Sequence, residues 1–384
     1  MSRFTKWVAC WGNATSITDR TTSSYAKDIT LRYPVRMCFD ADKIRIRFSN
    51  LTGTEPVTLR AALSRNIGED RIDPTSSEAL LLGGSEAVTI PAGEEVVTDP
   101  LSMDIRRGEI LNVSIYLESY TQMNAGVLIT GPLSRGQYAY GNFLKEEVLP
   151  LDKTRKTNWF YFLNTIDVFT EEKNKALVCY GDSITAQAWP DLLMQRCFDE
   201  GFTDTAVIRR AVSGTRILRQ YDCITYAAYG LKGSTRFPIE MNTAGVSSVI
   251  VQHGINDIIH PVGTDVNPFR PWDDMPSADD LIEGVRDIYV SYARSKGIKI
   301  YSGTLLPIKG WRTYADFREK IRNEFNSYLR SSSDFDGCVD FDKAVRDPDD
   351  PSRFRDGYDS GDHLHPSMSC YVKMADTVSK EILL

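Results

Sequence analysis

Apolar and polar residues alternate through Lys43-Ile44-Arg45-Ile46-Arg47-Phe48, Val57-Thr58-Leu59-Arg60-Ala61-Ala62-Leu63 and Leu111-Asn112-Val113-Ser114-Ile115-Tyr116-Leu117. A period of two puts every second side chain on one face, so each run predicts a half-buried strand. Between the runs lie turn-forming pieces, Thr52-Gly53-Thr54-Glu55-Pro56, Gly83-Gly84-Ser85 and Pro91-Ala92-Gly93. Up to about Thr170 no useful helix-period segment occurs, and many short strands with regular turns predict a β-sandwich of jelly-roll type. Trp159, Phe160, Tyr161, Phe162 and Leu163 read as one more strand of its core, and Trp7 and Trp11 as core residues too.

The charged piece Thr170-Glu171-Glu172-Lys173-Asn174-Lys175 marks a change of period. Beyond it, apolar strands are expected at Ala176–Tyr180, Val249–Gln252, Ile298–Leu306 and Cys338–Phe341. Helices are expected from Trp189-Pro190, from the cap Ser277 to about Ser295 with Gly297 as the stop, over about Thr313–Ser331, and from Ser367. The reading is therefore two domains: residues 1–172 a β-sandwich, and 173–384 an α/β unit. In the α/β unit a parallel sheet covered on both faces would place its site at the carboxyl ends of the strands.

With 384 residues, 42% apolar and 25% charged, the chain suits two soluble globular domains. A net charge of −7 leaves no basic surplus for a phosphate backbone, so no nucleic-acid partner is expected. The longer apolar runs, such as Trp7–Trp11 and Ala176–Tyr180, fall short of a membrane span. The opening Met1–Trp7 lacks a signal-peptide core. The seven cysteines are odd in number and widely spaced, and Cys38, Cys179 and Cys338, with apolar neighbours, read as buried free thiols. A cytoplasmic location is the expectation, or secretion if a leader has been removed; oligomeric state is not legible.

Four short blocks follow in order: Gly181-Asp182-Ser183-Ile184-Thr185, Ser213-Gly214, Gly254-Ile255-Asn256-Asp257 and Asp362-His363-Leu364-His365. Acyl transfer needs a nucleophile, a base, a group to orient the base, and donors for an oxyanion. Ser183, a histidine, Asp362, and Asn256 with Gly214 are the residue types for those tasks. Ser183 and Asn256 each fall just after a strand. The residues alone leave other uses open: Ser183 as an N-cap, Asn256-Asp257 as a turn, and Gly214 as a loop glycine. His363 and His365 both lie within reach of Asp362, and their alternation admits a zinc site. Against zinc, no third histidine or cysteine cluster has suitable spacing, so neither a metal nor a cofactor is expected. The run Asp347-Pro348-Asp349-Asp350-Pro351 reads as a solvated turn rather than a calcium loop.

The four blocks together resemble the SGNH-hydrolase (GDSL esterase) superfamily. Trp7-Val8-Ala9-Cys10-Trp11, Val88-Thr89-Ile90-Pro91-Ala92-Gly93 and Tyr358–Pro366 are similar to a branch with a β-sandwich ahead of the catalytic domain, which includes acetylxylan esterases and arylesterases. The resemblance implies a three-layer α/β hydrolase with Ser183, Asp362 and His365 as its triad, since the superfamily's Asp-x-x-His spacing selects His365 over His363. It implies an oxyanion hole of the Ser183 and Gly214 N–H groups and the Asn256 amide. It implies short-chain ester hydrolysis through a covalent acyl-enzyme, acting on acetylated carbohydrate as a small molecule or oligosaccharide. A lysophospholipase or thioesterase of the same fold, and an inactive carbohydrate-binding protein, are the alternatives. Trp272 and Trp311 are candidate sugar-stacking residues on the rim. The chain departs from its relatives at the short passage from Thr185 to Trp189-Pro190, and at His253, where relatives often carry an acidic residue.

Overall fold

The computed structural model describes residues 3–16, 24–221, 223 and 228–384; the first two residues of the opening Met1–Trp7 segment lie outside the described ones. The chain divides into two compact units. One comprises Met1–Ala176 with Thr203–Ile208 and Thr243–Gly245, and the other Leu177–Phe202, Arg209–Asn242 and Val246–Leu384.

The N-terminal unit holds two main antiparallel sheets and two further two-stranded pairings, Tyr25–Ala26 with Thr121–Gln122 and Gly126–Leu128 with Trp159–Tyr161. In the larger, Ile110–Leu117 lies between Ile29–Arg36 and Val57–Gly68, with Val113 opposite both Tyr33 and Leu63. In the smaller, Leu163–Thr170 lies between Lys6–Gly12 and Ala41–Ser49. The alternation seen in the sequence becomes burial: Ile44, Ile46 and Phe48 are fully buried, as are Leu111, Val113 and Ile115. The expected Trp159–Leu163 strand is broken. Phe162 takes φ of +61°, so Trp159–Tyr161 and Leu163–Thr170 belong to different sheets. Among the described residues the one helical piece in this unit is the turn Pro74–Ser76.

A parallel sheet, whose residues belong to the C-terminal unit except for Lys175, Ala176 and Thr205–Ile208, has the spatial order Thr205–Ala211, Lys175–Gly181, Val246–Gln252, Lys299–Gly303, Gly337–Val339. All seven residues of Thr205–Ala211 and six of seven in Lys175–Gly181 are buried, which requires cover on both faces. Relative to chain order the sheet reads 2-1-3-4-5. Its direction reverses between Lys175–Gly181 and Val246–Gln252, where such sheets form their sites.

Several boundaries shift from expectation. The strand read as Ile298–Leu306 is Lys299–Gly303, and the helix from Thr313 begins at Asp316. Gly337–Val339 replaces Cys338–Phe341, because Phe341 opens the short helix Phe341–Val345 behind the cap Asp340. Ser277 caps its helix through a capping box, but the rod to Ser295 passes through a π-helical stretch, Val285–Val290. The strand Thr205–Ala211 and the helix Gly233–Glu240 were not anticipated. None of the seven cysteines is in a disulfide; Cys38 and Cys179 are buried, and Cys338, in the middle of its short strand, is only half-buried. No helix is long and apolar enough to cross a membrane among the described residues.

Candidate active site

The strand Lys175–Gly181 ends at a glycine because nothing larger fits: a Cβ on Gly181 would lie 2.4 Å from Thr185 Oγ1 and 2.5 Å from the Gln252 carbonyl oxygen. The Gly181 carbonyl accepts from Val212 N at 3.2 Å and from Arg236 Nη2 at 2.7 Å. The next residues turn tightly, with Ala186 N donating to the Asp182 carbonyl at 2.8 Å and Ile184 N to the Asp182 carboxyl at 3.1 Å. Thr185 Oγ1 donates to Gln252 Oε1 at 3.0 Å, fastening the turn to the next strand. Burial raises the Asp182 carboxyl to about 7, against the lowering pull of the Ile184 N–H and the nearby His365. Asp182 thus serves the turn that carries Ser183.

Ser183 Oγ lies 2.9 Å from His365 Nε2, and His365 Nδ1 lies 2.6 Å from Asp362 Oδ2. A carboxylate accepts, so Nδ1 carries the hydrogen and Nε2 presents its lone pair to the serine hydroxyl. The loop is preshaped for this. Ser360 N donates to the His365 carbonyl at 3.0 Å, and Asp362 Oδ1 accepts from Leu364 N at 3.0 Å and His365 N at 2.8 Å. Partial burial alone would raise the Asp362 carboxyl, but the His365 ring and these N–H groups hold it down at about 2. His363 faces elsewhere: with φ of +64° its Nδ1 meets Asp359 Oδ2 at 2.5 Å. Each histidine thus has its own carboxylate, and among the described residues no group of three His, Cys, Asp or Glu is gathered as for a metal.

Gly214 takes φ of +79°, and a Cβ there would lie 2.4 Å from the Tyr229 ring. Its N–H and that of Ser183 have no acceptor among the described residues. Amide hydrogens left without an acceptor are what an oxyanion hole requires. Asn256 is buried on the short helix Ile255–Ile259, not in the plain turn the sequence allowed, and its Nδ2 donates to the Thr215 carbonyl at 3.0 Å. Its neighbour Asp257 accepts from Ile217 N at 2.8 Å and Leu218 N at 3.0 Å, holding the Gly214 loop from its far side.

The two tryptophans separate. Trp311 is half-buried on a turn, its backbone N–H donating to the Ile308 carbonyl at 3.0 Å. A Cβ on the preceding Gly310 would lie 2.6 Å from the His363 ring, so this turn borders the histidine loop. Trp272, 48% exposed, packs on Gly263, Phe317 and Arg318, outside the four blocks. The acidic run near Asp347 is a turn: Asp347 Oδ1 accepts from Asp349 N at 2.8 Å, and Asp350 pairs with Lys309 at 2.6 Å. Sequence reasoning did not find Thr215, Tyr229 or Tyr289. His253 stands out in the sequence only by its place before Gly254; its ring is buried, with Nε2 3.1 Å from the Thr215 carbonyl and Nδ1 2.7 Å from the Tyr289 hydroxyl.

Among solved structures, a GDSL-like lipase from Bacteroides thetaiotaomicron is 16% identical, with 54% of this chain and 87% of that one covered at a TM-score of 0.37. A catalytic mutant of an acetylxylan esterase from Geobacillus stearothermophilus is 15% identical over 54% of this chain and 94% of that one, with a TM-score of 0.35. A family two carbohydrate esterase from Cellvibrio japonicus is 10% identical over 98% and 97% of the two chains, with a TM-score of 0.34. No curated protein matches in sequence. The model of the GDSL-like lipase/acylhydrolase family matches residues 179–372, half of the chain and all four blocks. The chain belongs to the GDSL-like lipase/acylhydrolase family.

Proposed function

We propose that this acylhydrolase is a serine esterase that removes short acyl groups, above all acetyl, from carbohydrate through a covalent acyl-enzyme. The observation that carries the reading is the relay Ser183–His365–Asp362 at 2.9 and 2.6 Å, with the Ser183 and Gly214 N–H groups lacking an acceptor among the described residues. Ser183 Oγ attacks the ester carbonyl carbon as its proton passes to His365 Nε2. Asp362 stabilises the imidazolium and keeps its orientation. The negative oxygen then receives the N–H groups of Ser183 and Gly214 and the second amide hydrogen of Asn256. Collapse expels the sugar alcohol, which takes the proton from His365. Water then gives its proton to the same nitrogen, attacks the acyl carbon and releases the acid, restoring Ser183.

The acetyl preference is supported by the passage from Ser183 to its helix, where only Ile184, Thr185, Ala186, Gln187 and Ala188 precede the buried Trp189. The sugar is supported by Trp311, whose turn borders the histidine loop and offers an indole for stacking. The N-terminal unit is, on this reading, a jelly-roll-like domain ahead of the hydrolase.

Acetate release from acetylated xylan, mannan, pectin and simple sugar acetates tests the substrate. Labelling with a fluorophosphonate tests the nucleophile: wild type should label and Ser183→Ala should not. Equal labelling of both, or no acetate from any of these acetates, would sink the reading.

A further inference from the structure

Thr215 is the place where two of the proposed oxyanion donors meet. Its carbonyl accepts from Asn256 Nδ2 at 3.0 Å, and His253 Nε2 lies 3.1 Å from the same oxygen. That ring nitrogen is also 3.0 Å from Thr215 Oγ1, whose own hydrogen goes to the Val212 carbonyl at 2.8 Å. On the other side of the ring, Nδ1 lies 2.7 Å from the Tyr289 hydroxyl.

Those partners permit one arrangement of hydrogens. A carbonyl oxygen can only accept, so Nε2 carries the ring's hydrogen. Nδ1 of the neutral imidazole then accepts from Tyr289. Neutrality is secured by complete burial, reinforced by the charge of Arg236, which together hold the His253 pKa well below the ordinary histidine range. The fold makes room for the tyrosine at Gly233, where a Cβ would lie 2.1 Å from the Tyr289 hydroxyl oxygen. The chain of donors therefore runs from Tyr289 through His253 to the Thr215 carbonyl.

Thr215 directly follows Gly214. Thr215 N and Oγ1 both turn back to the Val212 carbonyl, at 3.4 and 2.8 Å. Holding the Thr215 carbonyl sets the pitch of the turn that presents Gly214 N–H, and gives the Asn256 amide its anchor. We propose that His253 is a positioning residue for the oxyanion hole, held by Tyr289 in the tautomer that donates to Thr215. This rests on the serine-esterase reading and adds to it the device that aligns two of the three donors. His253 itself touches no reacting atom.

The test uses the full chain with nitrophenyl acetate, and the variants His253→Leu, Tyr289→Phe and His253→Gln, with a thermal melt for each. His253→Leu and Tyr289→Phe should lower kcat by roughly 10- to 100-fold with KM within about twofold, because misaligned donors act on the developing oxyanion. His253→Gln, whose amide nitrogen reaches the place of Nε2, should recover most of the loss. The shape of the pH–rate profile should not change, since the Ser183–His365–Asp362 relay is untouched. Asn256→Ala combined with His253→Leu should lose less than the product of the single losses, because both act through Thr215. Folded His253→Leu and Tyr289→Phe with kcat near wild type, or with the loss confined to KM, would overturn the proposal. If His253→Leu does not fold, Tyr289→Phe decides. Wild type without esterase activity would overturn the esterase reading and this inference together; active wild type with unaffected variants overturns the inference alone.

Discussion

Asp362 acts on His365 in two ways that a substitution can separate. Its Oδ2 fixes the ring through Nδ1, while its Oδ1 gathers the Leu364 and His365 N–H groups that shape the loop. An asparagine can keep an oxygen for the backbone donors but must offer either an amide hydrogen or a neutral acceptor to Nδ1. Asp362→Asn should therefore leave the fold intact and lower kcat by roughly 10³- to 10⁴-fold on nitrophenyl acetate. A loss below tenfold would place the orienting group elsewhere. Gly214 is the other sharp case. A methyl group there meets the Tyr229 ring and must sit at φ of +79°, so Gly214→Ala should lower kcat by at least about 100-fold with a small change in KM. Unchanged turnover would remove Gly214 N–H from the oxyanion role. These residues were legible because each lies inside a short block whose spacing carries meaning. Thr215, Tyr289 and Tyr229 were not, because their roles arise from contacts between segments far apart in the chain.

Strand ends decide the site, and the elements the sequence hid explain how. Thr205–Ala211 carries Arg209 and Arg210, charges that argue against a buried strand. Their partners supply the answer: Arg209 pairs with Asp191 at 2.6 Å and Arg210 with Glu240 at 3.4 Å. The helix Gly233–Glu240 was masked by Pro238 inside it, a residue that ordinarily stops a helix. By contrast the alternating strands of the N-terminal unit and the Ser277 cap were plain, because local pattern and burial agree there. The Ser183 turn has a cost that pH reveals. Burial raises the folded-state pKa of Asp182 to about 7, whereas an exposed aspartate titrates near 3.9. Between roughly pH 4 and 7 the folded chain keeps a proton that the unfolded chain releases, so this group's effect on stability worsens as pH rises through that window. Asp182→Asn retains an acceptor for Ile184 N and cannot ionise. Its melting temperature should exceed that of wild type by several degrees at about pH 8, with the gain shrinking toward pH 4. A larger gain at pH 4 than at pH 8 would show that the carboxyl is held charged.

For the whole molecule, substrate choice follows from what the chain lacks as much as from what it has. The sheet order places Ser183 and Asn256 on either side of the switch point, an arrangement the sequence implied by putting both just after strands. The strand Thr205–Ala211, hidden in the sequence, is what makes that reversal. Beyond Ser183, the chain enters its helix at Trp189, which is fully buried and packs on Phe341 with ring centroids 5.2 Å apart. Few residues remain there to wall a long acyl tunnel. In a true lipase each further methylene that found an apolar wall would gain roughly 0.8 kcal/mol, and efficiency would climb steeply with chain length. Here the carbons beyond the acetyl methyl should meet packed side chains or water. The net charge of −7 also gives no general attraction to an anionic lipid surface. The expected order of kcat/KM for nitrophenyl esters is therefore acetyl above butyryl above octanoyl, unaltered by anionic vesicles. Octanoate turned over faster than acetate, or activation by vesicles, would transfer this enzyme to the lipid esterases and end the carbohydrate reading.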